Sequence, residues 1–562
     1  MPTLAPWKPR DTIAALALFL GTAAFTLWQN THVAVLWDLA YLLDSSYRIS
    51  LGQLPYREFP FAHSPLTFLI QAAIIKLFGR VYWHHIVYAA LAGGAATLLT
   101  WRITLRLLPH RWGLATLLCT TLIPLGIYSI YPHPIYDSDC ILSVLLAVFL
   151  LQRAADSPFR NVLAGAACIL PLFFKQNIGL LFLATLFCCF LALSIARLRA
   201  RKPLAPQVSL FAGGAVTLAF VLLTLHFTVG LSNIRYWTFT FAAQRRLPGI
   251  GLILGIYHQT SLLWTLPTTI TALVLLRLLP FHRWTRLIAL ALLLAPFAYA
   301  AISFFLTDDA DDRADALLSL WPHLLLIAVA LALYQLRKPP SFTTLLPIIL
   351  LATIHGTFLS QQLWGSTYAL WPLLVLLLTM MLAELSALAR PLAIAIAATF
   401  LLCGSVYAAS LERLSYNHLS GPVAHATLPQ LRGLATPGSY IPDLEELIRY
   451  TDETIPQSDG ILLLPGQDPF YFAGGRTPRF PVLLLDPATN PYSPQQLRDE
   501  ARHRNIRWLI VNRHLQLMAD PVPNLPAYLD ALAPDFTHVR TMANYDIYQR
   551  RQMPQARFDA PM

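Results

Sequence analysis

Charge is scarce in this chain. Asp, Glu, Lys and Arg make up 12% of its 562 residues, about half the share of a typical soluble domain. With 56% of residues hydrophobic, a soluble fold would lack the polar groups to cover its surface. Cysteine is also sparse. The six cysteines, Cys119, Cys140, Cys168, Cys188, Cys189 and Cys403, lie in or beside apolar runs, and none follows Cys403. That excludes a disulfide framework in the C-terminal part, and no zinc spacing is present. No Gly-x-Ser-x-Gly and no glycine-rich phosphate loop occur, which argues against an ATP or nucleotide-sugar site. His133, His258 and His355 are scattered without ligand spacing and are assigned no role. The net charge of +11 comes without a basic helix interleaved with aromatics, so nucleic acid is not an expected partner.

What is present is a succession of apolar runs from Thr12 to Ser410, after which they stop. They predict a mainly α, polytopic transmembrane helix bundle of about thirteen spans, near residues 12–29, 83–107, 112–131, 139–153, 161–174, 178–197, 207–229, 258–279, 285–306, 316–335, 342–359, 368–386 and 391–410. Pro65–Phe78 is shorter and reads as interfacial or re-entrant. Thr12–Trp28 follows Lys8 and Arg10 and lacks a small-residue cleavage site, so it is expected to be a retained signal-anchor. Residues 1–410 thus form a membrane module and residues 411–562 one small α/β domain. In that tail Gly460–Pro465, Pro481–Leu485, Ile506–Val511 and Tyr545–Tyr548 read as strands. Leu444–Thr451, Pro494–Arg504 and Leu525–Ala533 read as helices.

Loop charges set the orientation. With a cytoplasmic N-terminus, the cytoplasmic turns carry Arg102, Arg106 and Arg111, then Arg153 and Arg160, then Arg197 to Lys202, and later Arg277, Arg283, Arg286, Arg337, Lys338 and Arg390. Asp308 to Asp315, Asp38, Asp44, Glu58, Asp137 and Asp139 fall outside. This bias is the positive-inside pattern of a cell (inner) membrane protein, and it makes the C-terminal domain extracytoplasmic.

The first external loop, residues 30–64, is rich in aromatics, and Asp38–Arg48 has the pattern of an amphipathic interfacial helix. Asn233–Arg246 is a second such element. Asp38, beside Trp37, is either a solvated loop acid or a general base for a hydroxyl delivered to the outer membrane face. Asp137-x-Asp139 opens a span. The pair either caps the helix, the reading its position favours, or holds a divalent ion. Lys175 is either a snorkelling anchor or a cation for a phosphate at headgroup level.

Trp37-Asp38-Leu-Ala-Tyr41, then Ser50-Leu-Gly52-Gln-Leu-Pro55-Tyr56-Arg57-Glu58-Phe59, His63-Ser64-Pro65-Leu66 and Lys76-Leu-Phe-Gly79 together resemble the first-loop signature of the GT-C superfamily. These are polyprenyl-phosphate-dependent integral membrane glycosyltransferases, such as protein O-mannosyltransferases and the aminoarabinose transferase of lipid A. Asp38 precedes Gly52 by 14 residues, which fits the family spacing, while Asp44 would fall in mid-helix. Tyr136-Asp137-Ser-Asp139 resembles the family's second external acidic site. Leu172-Phe-Phe-Lys175-Gln176 resembles its Leu-x-x-Lys element, and Ser366-Thr367-Tyr368 to Pro372 its Arg-Tyr element with the arginine missing. Pro469–Arg476 resembles a Tyr-Phe-x-x-Gly-Arg turn of bacterial tails. The resemblance implies an enzyme that transfers a hexose or pentose from a polyprenyl-phosphate donor, with inversion, to an extracytoplasmic lipid, glycan or protein acceptor. Asp38 would be the catalytic base, and Asp137 and Asp139 the second acidic site. Lys175, His63 and Arg57 would meet the donor phosphate, with Arg245 and Arg246 as further external cations. A transporter or lipid-linked sugar flippase is the alternative, against which stands the lack of a repeated broken-helix pair. A subunit with a decayed catalytic loop is the third reading.

Overall fold

The computed structural model describes residues 7–153, 157–246, 250–279, 282–360, 367–385, 388–487, 489–519 and 522–551. By contact the chain divides into two compact units. The first comprises the N-terminus to Thr31, His63–Thr67 and His84–Ser415. The second comprises His32–Ala62, Phe68–Trp83 and the chain from Tyr416 onward.

The first unit is all helical. Among the described residues seven helices are long and apolar enough to cross a membrane: Pro9–Asn30, Tyr82–Leu107, Gln176–Arg199, Ala205–Thr228, Arg283–Leu306, Arg313–Gln335 and Ala389–Ala409. Each coincides with an expected span, and they make the chain a multi-pass membrane protein. Four further expected spans, Pro158–Phe174, Leu262–Leu278, Phe342–Thr357 and Trp371–Glu384, form apolar helices of 10–17 residues, below the roughly 20 needed to cross unaided. Tyr136–Leu151 is a 16-residue helix. The span expected over 112–131 is not one helix. It breaks at Thr121 into Trp112–Thr120 and Leu122–Leu125, because Pro124 has no N–H to donate to the Thr120 carbonyl, and it ends where Gly126 adopts an extended backbone. Leu66–Phe78, expected to be interfacial, is a 13-residue helix.

Small residues set the closest helix approach. A Cβ on Gly165 would stand 2.0 Å from the Leu210 carbonyl oxygen, and one on Gly213 would stand 2.2 Å from that of Val162. Pro158–Phe174 and Ala205–Thr228 therefore cross with their backbones almost touching, which is how helices gain contact in a solvent as apolar as their side chains.

The second unit joins a helix of the first loop to the tail. Strands β1 (Val423–His425) and β2 (Ala435–Pro437) pair antiparallel. Strands β3 (Gly460–Leu464), β4 (Ile506–Asn512), β5 (Phe536–Thr541) and β6 (Tyr545–Arg550) form a sheet of order β3-β4-β6-β5, with β3 parallel to β4 and the other pairs antiparallel. Helices Tyr440–Thr454, Pro494–His503 and Leu525–Leu532 match the three expected helical stretches. One strand expectation needs correction, and three strands, β1, β2 and β5, were not expected. Pro481–Leu485 is irregular, although buried: Pro481 brings no N–H to a ladder, and the Leu485 amide donates instead to the Pro465 carbonyl. β5 is a strand that the sequence did not announce. Only Phe536 of its six residues is buried, so this edge strand lacks the apolar alternation that marks a half-buried one.

Leu36–Ser50 is the amphipathic helix expected in the first loop, but its apolar face lies in protein. Trp37 is buried in one core with Leu462, Leu464, Phe480, Leu497, Leu509 and Val511. The helix start is fixed by Gln516, whose side chain accepts from the Leu36 amide and donates to the Ala34 carbonyl.

Candidate active site

The sequence-predicted residues fall into both units, and each group is built by its own local structure. In the first unit, Lys175 is the single extended residue (φ −146°, ψ 116°) between helices Pro158–Phe174 and Gln176–Arg199. Its amide closes the first helix on the Pro171 carbonyl, and its carbonyl accepts from the Gly179 amide. Gly179 is needed for this tight reversal, since a Cβ there would lie 2.3 Å from the Leu172 nitrogen. Lys175 is only 7% exposed, so it is not an anchor snorkelling toward water. Its Nζ lies 2.7 Å from Oδ1 and 2.8 Å from Oδ2 of Asp137. The ammonium also sits 4.6 Å from the centre of the Tyr136 ring, and His63 stacks on that ring at 4.6 Å and 22°. His63, Tyr136, Asp137 and Lys175 are thus one cluster. Beside it, Ser64 Oγ donates to the Leu172 carbonyl and lies 3.1 Å from the Gln176 side-chain oxygen. Asp137 stands in the first turn of one helix and Lys175 caps the start of another, so two helix N-termini add positive potential to the lysine charge.

Asp139 has a different task. It is 1% exposed and accepts hydrogen bonds from Thr67 (2.8 Å), Tyr88 (2.8 Å) and Tyr128 (2.6 Å). A buried carboxylate with three hydroxyl donors is a satisfied structural node that ties three segments together. The favoured capping role therefore fails for both acids: the N-cap is Ile135, without a side-chain cap. The divalent-ion alternative fits no better, because Asp137 is committed to Lys175 and Asp139 to its three hydroxyls. Among the described residues no group of three or more His, Cys, Asp or Glu side chains is arranged to hold a metal.

In the second unit, Asp38 stands half-buried in the first turn of Leu36–Ser50, next to the core residue Trp37. The Gly52-x-x-Pro55-Tyr56-x-Glu58 pattern is a turn that closes on itself. Gly52 and Tyr56 take positive φ (94° and 66°), the Glu58 amide donates to the Leu54 carbonyl, and the Glu58 carboxylate accepts from the Leu54 amide. Arg57 is exposed on this turn. Arg48, buried, packs 4.4 Å above the Phe59 ring and donates to the Pro481 carbonyl.

Asp44 is the residue whose role the sequence missed. It is 3% exposed, and it accepts from the backbone amides of Tyr471 (3.3 Å) and Phe472 (2.7 Å). Burial pushes its carboxyl up to about 8, against the pull of those two amides. At the other end of the short turn Phe470–Gly474, Arg80 donates to the carbonyls of Phe472 and Ala473. The Tyr-Phe-x-x-Gly-Arg element of the tail is therefore held by an acid at its amide end and a cation at its carbonyl end. Arg476, 3% exposed, donates to the carbonyls of Thr451, Ile455 and Pro456. The available signal was the spacing of Asp44 on the buried face of its helix; the partners lie more than 400 residues away.

Of the remaining expectations, Ser366 lies outside the described residues, as do the side chains of Arg245 and Arg246. Tyr368 stacks on Tyr131 at 5.6 Å and donates to the Arg413 carbonyl.

The sequence from residue 62 to 225 matches the family model of dolichyl-phosphate-mannose-protein mannosyltransferases. No curated protein matches the chain. Similar solved structures include the ArnT protein of Cupriavidus metallidurans bound to undecaprenyl phosphate, 12% identical, with 96% of this chain and 97% of that one covered and a TM-score of 0.46. Another is the Archaeoglobus fulgidus oligosaccharyltransferase AglB with an inhibitory peptide and a dolichol-phosphate, 12% identical, covering 90% and 70% at a TM-score of 0.45. Over residues 62–225, which hold the Asp137–Lys175 cluster, the chain is similar to the dolichyl-phosphate-mannose-protein mannosyltransferases.

Proposed function

We propose that this chain is a membrane glycosyltransferase that moves a sugar from a polyprenyl-phosphate carrier to an acceptor hydroxyl on the outer side of the cell membrane. The observation that carries this reading is the family match over 62–225, a segment whose one buried lysine is paired at the junction of two helices. In the reaction Asp38 accepts the proton of the acceptor hydroxyl. The acceptor oxygen attacks the anomeric carbon, and the carbon–oxygen bond to phosphate breaks with inversion. Polyprenyl phosphate leaves with the bonding pair, and its charge is met by Lys175, assisted by His63 and Arg57. Tyr136 and Asp137 position the lysine. Both Asp137 oxygens lie on the ammonium, which leaves two of its three proton directions for incoming phosphate only if the pair opens or shifts to one oxygen. Residues 1–410 carry this chemistry, with the first external loop 30–64 supplying Asp38. Residues 411–562 form an extracytoplasmic domain, and the N-terminus is cytoplasmic, in keeping with the basic turns on that side.

The test is transfer by the purified full chain in liposomes, supplied with a polyprenyl-phosphate-linked radiolabelled sugar and a cell-envelope extract as acceptor. Sugar transfer with release of polyprenyl phosphate is expected. Asp38→Asn should slow turnover about 10²–10⁴-fold, the usual worth of a general base, with donor affinity unchanged. Movement of the donor across the bilayer without transfer would overturn the proposal in favour of a flippase.

A further inference from the structure

Three helices of the first unit have one end at the Asp137–Lys175 cluster and the other end at a cavity of ≈ 800 Å³. Tyr136–Leu151 starts beside Asp137 and ends at Gln152, Pro158–Phe174 starts at the cavity and ends at Lys175, and Gln176–Arg199 runs back from Lys175 to Arg197. At 1.5 Å per residue, Lys175 and Arg197 are roughly 33 Å apart, about the thickness of a bilayer core. The cavity therefore opens at the opposite membrane face from the cluster.

Its volume is that of a small-molecule site, such sites running to about 300–1,000 Å³. Phe190 and Phe342 give it apolar walls, and Arg197 and Lys202 line it. Neither cation is in an ion pair among the described residues. Arg197 is oriented by the bond from its Nε to the Pro203 carbonyl, at 3.1 Å. Two further lining residues, Gln152 and Gln207, are 6% and 8% exposed, and the side-chain oxygen of each is buried with no hydrogen-bond partner among the described residues. Such atoms are costly to leave unpaired. The site thus offers two cations to an anion and two carbonyl oxygens to hydroxyl donors, at headgroup depth, beneath apolar walls.

We infer that this cavity binds an anionic phospholipid whose headgroup carries free hydroxyls beside its phosphate, as phosphatidylglycerol does. The phosphate meets Arg197 and Lys202, the hydroxyls donate to Gln152 and Gln207, and the glycerol backbone lies along the phenylalanines. Basic pockets between membrane helices bind anionic headgroups by the same electrostatics. The site is separate from sugar transfer and holds in place the turns that join the catalytic helices.

The experiment is native mass spectrometry of the full chain in detergent, titrated with phosphatidylglycerol, phosphatidic acid or phosphatidylcholine. Phosphatidylglycerol is expected to bind best and phosphatidylcholine least. Replacing both cations, Arg197→Gln with Lys202→Gln, should cut the preference for phosphatidylglycerol over phosphatidylcholine about thirtyfold. The charge-preserving pair Arg197→Lys with Lys202→Arg should keep most of it. Gln207→Leu should erase the advantage of phosphatidylglycerol over phosphatidic acid and leave phosphatidylcholine unaffected, a readout that survives should the neutral pair fail to fold. Equal binding of phosphatidylglycerol and phosphatidylcholine by the unaltered chain would overturn the inference. So would displacement of the lipid by inorganic phosphate, which would mark a site for the free ion.

Discussion

Lys175 has two roles that a single substitution confounds, and the structure supplies a way to separate them. Lys175→Ala removes the partner of Asp137, whose side chain is 14% exposed against 8% for the lysine. Stranding a carboxylate in such a place costs about 3–5 kcal/mol, a large part of the stability of an ordinary domain. Loss of activity in that variant alone would therefore say nothing about phosphate. Adding Asp137→Asn removes the stranded charge and leaves only a neutral amide in its place, so most of the stability should return. Donor binding should not return, because the phosphate would meet no ammonium. Breaking one charge-assisted contact in a desolvated site is worth about 2–5 kcal/mol, which puts the expected loss of affinity at about 30-fold or more. The assay is binding of polyprenyl phosphate to the full chain in nanodiscs, read with a melting curve on the same sample. If the double variant melts near the parent and still binds polyprenyl phosphate with parental affinity, Lys175 is a structural counter-ion to Asp137, and the phosphate role passes to His63 or Arg57.

Four further outcomes follow from the same geometry. Asp44→Ala leaves the amides of Tyr471 and Phe472 without their acceptor; at about 1–3 kcal/mol for each orphaned group, hydrogen exchange at those two amides should rise by at least about fivefold, and unchanged protection would refute the clamp. The folded chain holds the Asp44 proton up to about pH 8, whereas an unfolded carboxyl loses it near pH 4. The folded form thus binds the extra proton in that window, and stability should fall as pH rises through it. Asp44→Asn should flatten that slope in melting curves taken at about pH 5 and about pH 8. Gly165→Ala drives a methyl group into the Leu210 carbonyl and should lower the yield of folded protein in detergent by size-exclusion chromatography, while the exposed Gly113→Ala, with nothing near its Cβ, should not. Reporter fusions after Arg111, Lys202 and Arg390 should report cytoplasm and those after Asp309 and Tyr440 the outside, and a cytoplasmic tail would break the proposed orientation.

The parts legible in the sequence were those whose physics is local. A span needs only its own apolar residues, so the seven long helices are found where the runs lie. The first-loop helix was visible because Leu39, Leu42, Leu43 and Ser46 recur on one face, and all four are buried. What that face packs against was not visible: the run suggested a headgroup layer, but Trp37 enters a core built from β3, β4 and the Pro494–His503 helix. The same limit governs the acids. Asp38, Asp44, Asp137 and Asp139 all stand on helices, and spacing alone cannot sort them. Their environments do. Asp44 faces two backbone amides, Asp137 one ammonium, and Asp139 three hydroxyls from positions 67, 88 and 128. Each of these three is committed to a protein partner whose loss would cost stability before chemistry. A general base must be able to exchange its partner for a substrate hydroxyl. Asp38 is half-buried, as Asp137 is, and stands in the first helical turn at the spacing from Gly52 that the resemblance singles out. The assignment of Asp38 is a proposal that rests on the resemblance and its spacing from Gly52, and a dead Asp38→Asn that melts normally, set beside an unstable Asp44→Ala, is the pair of results that separates the catalytic acid from the structural one.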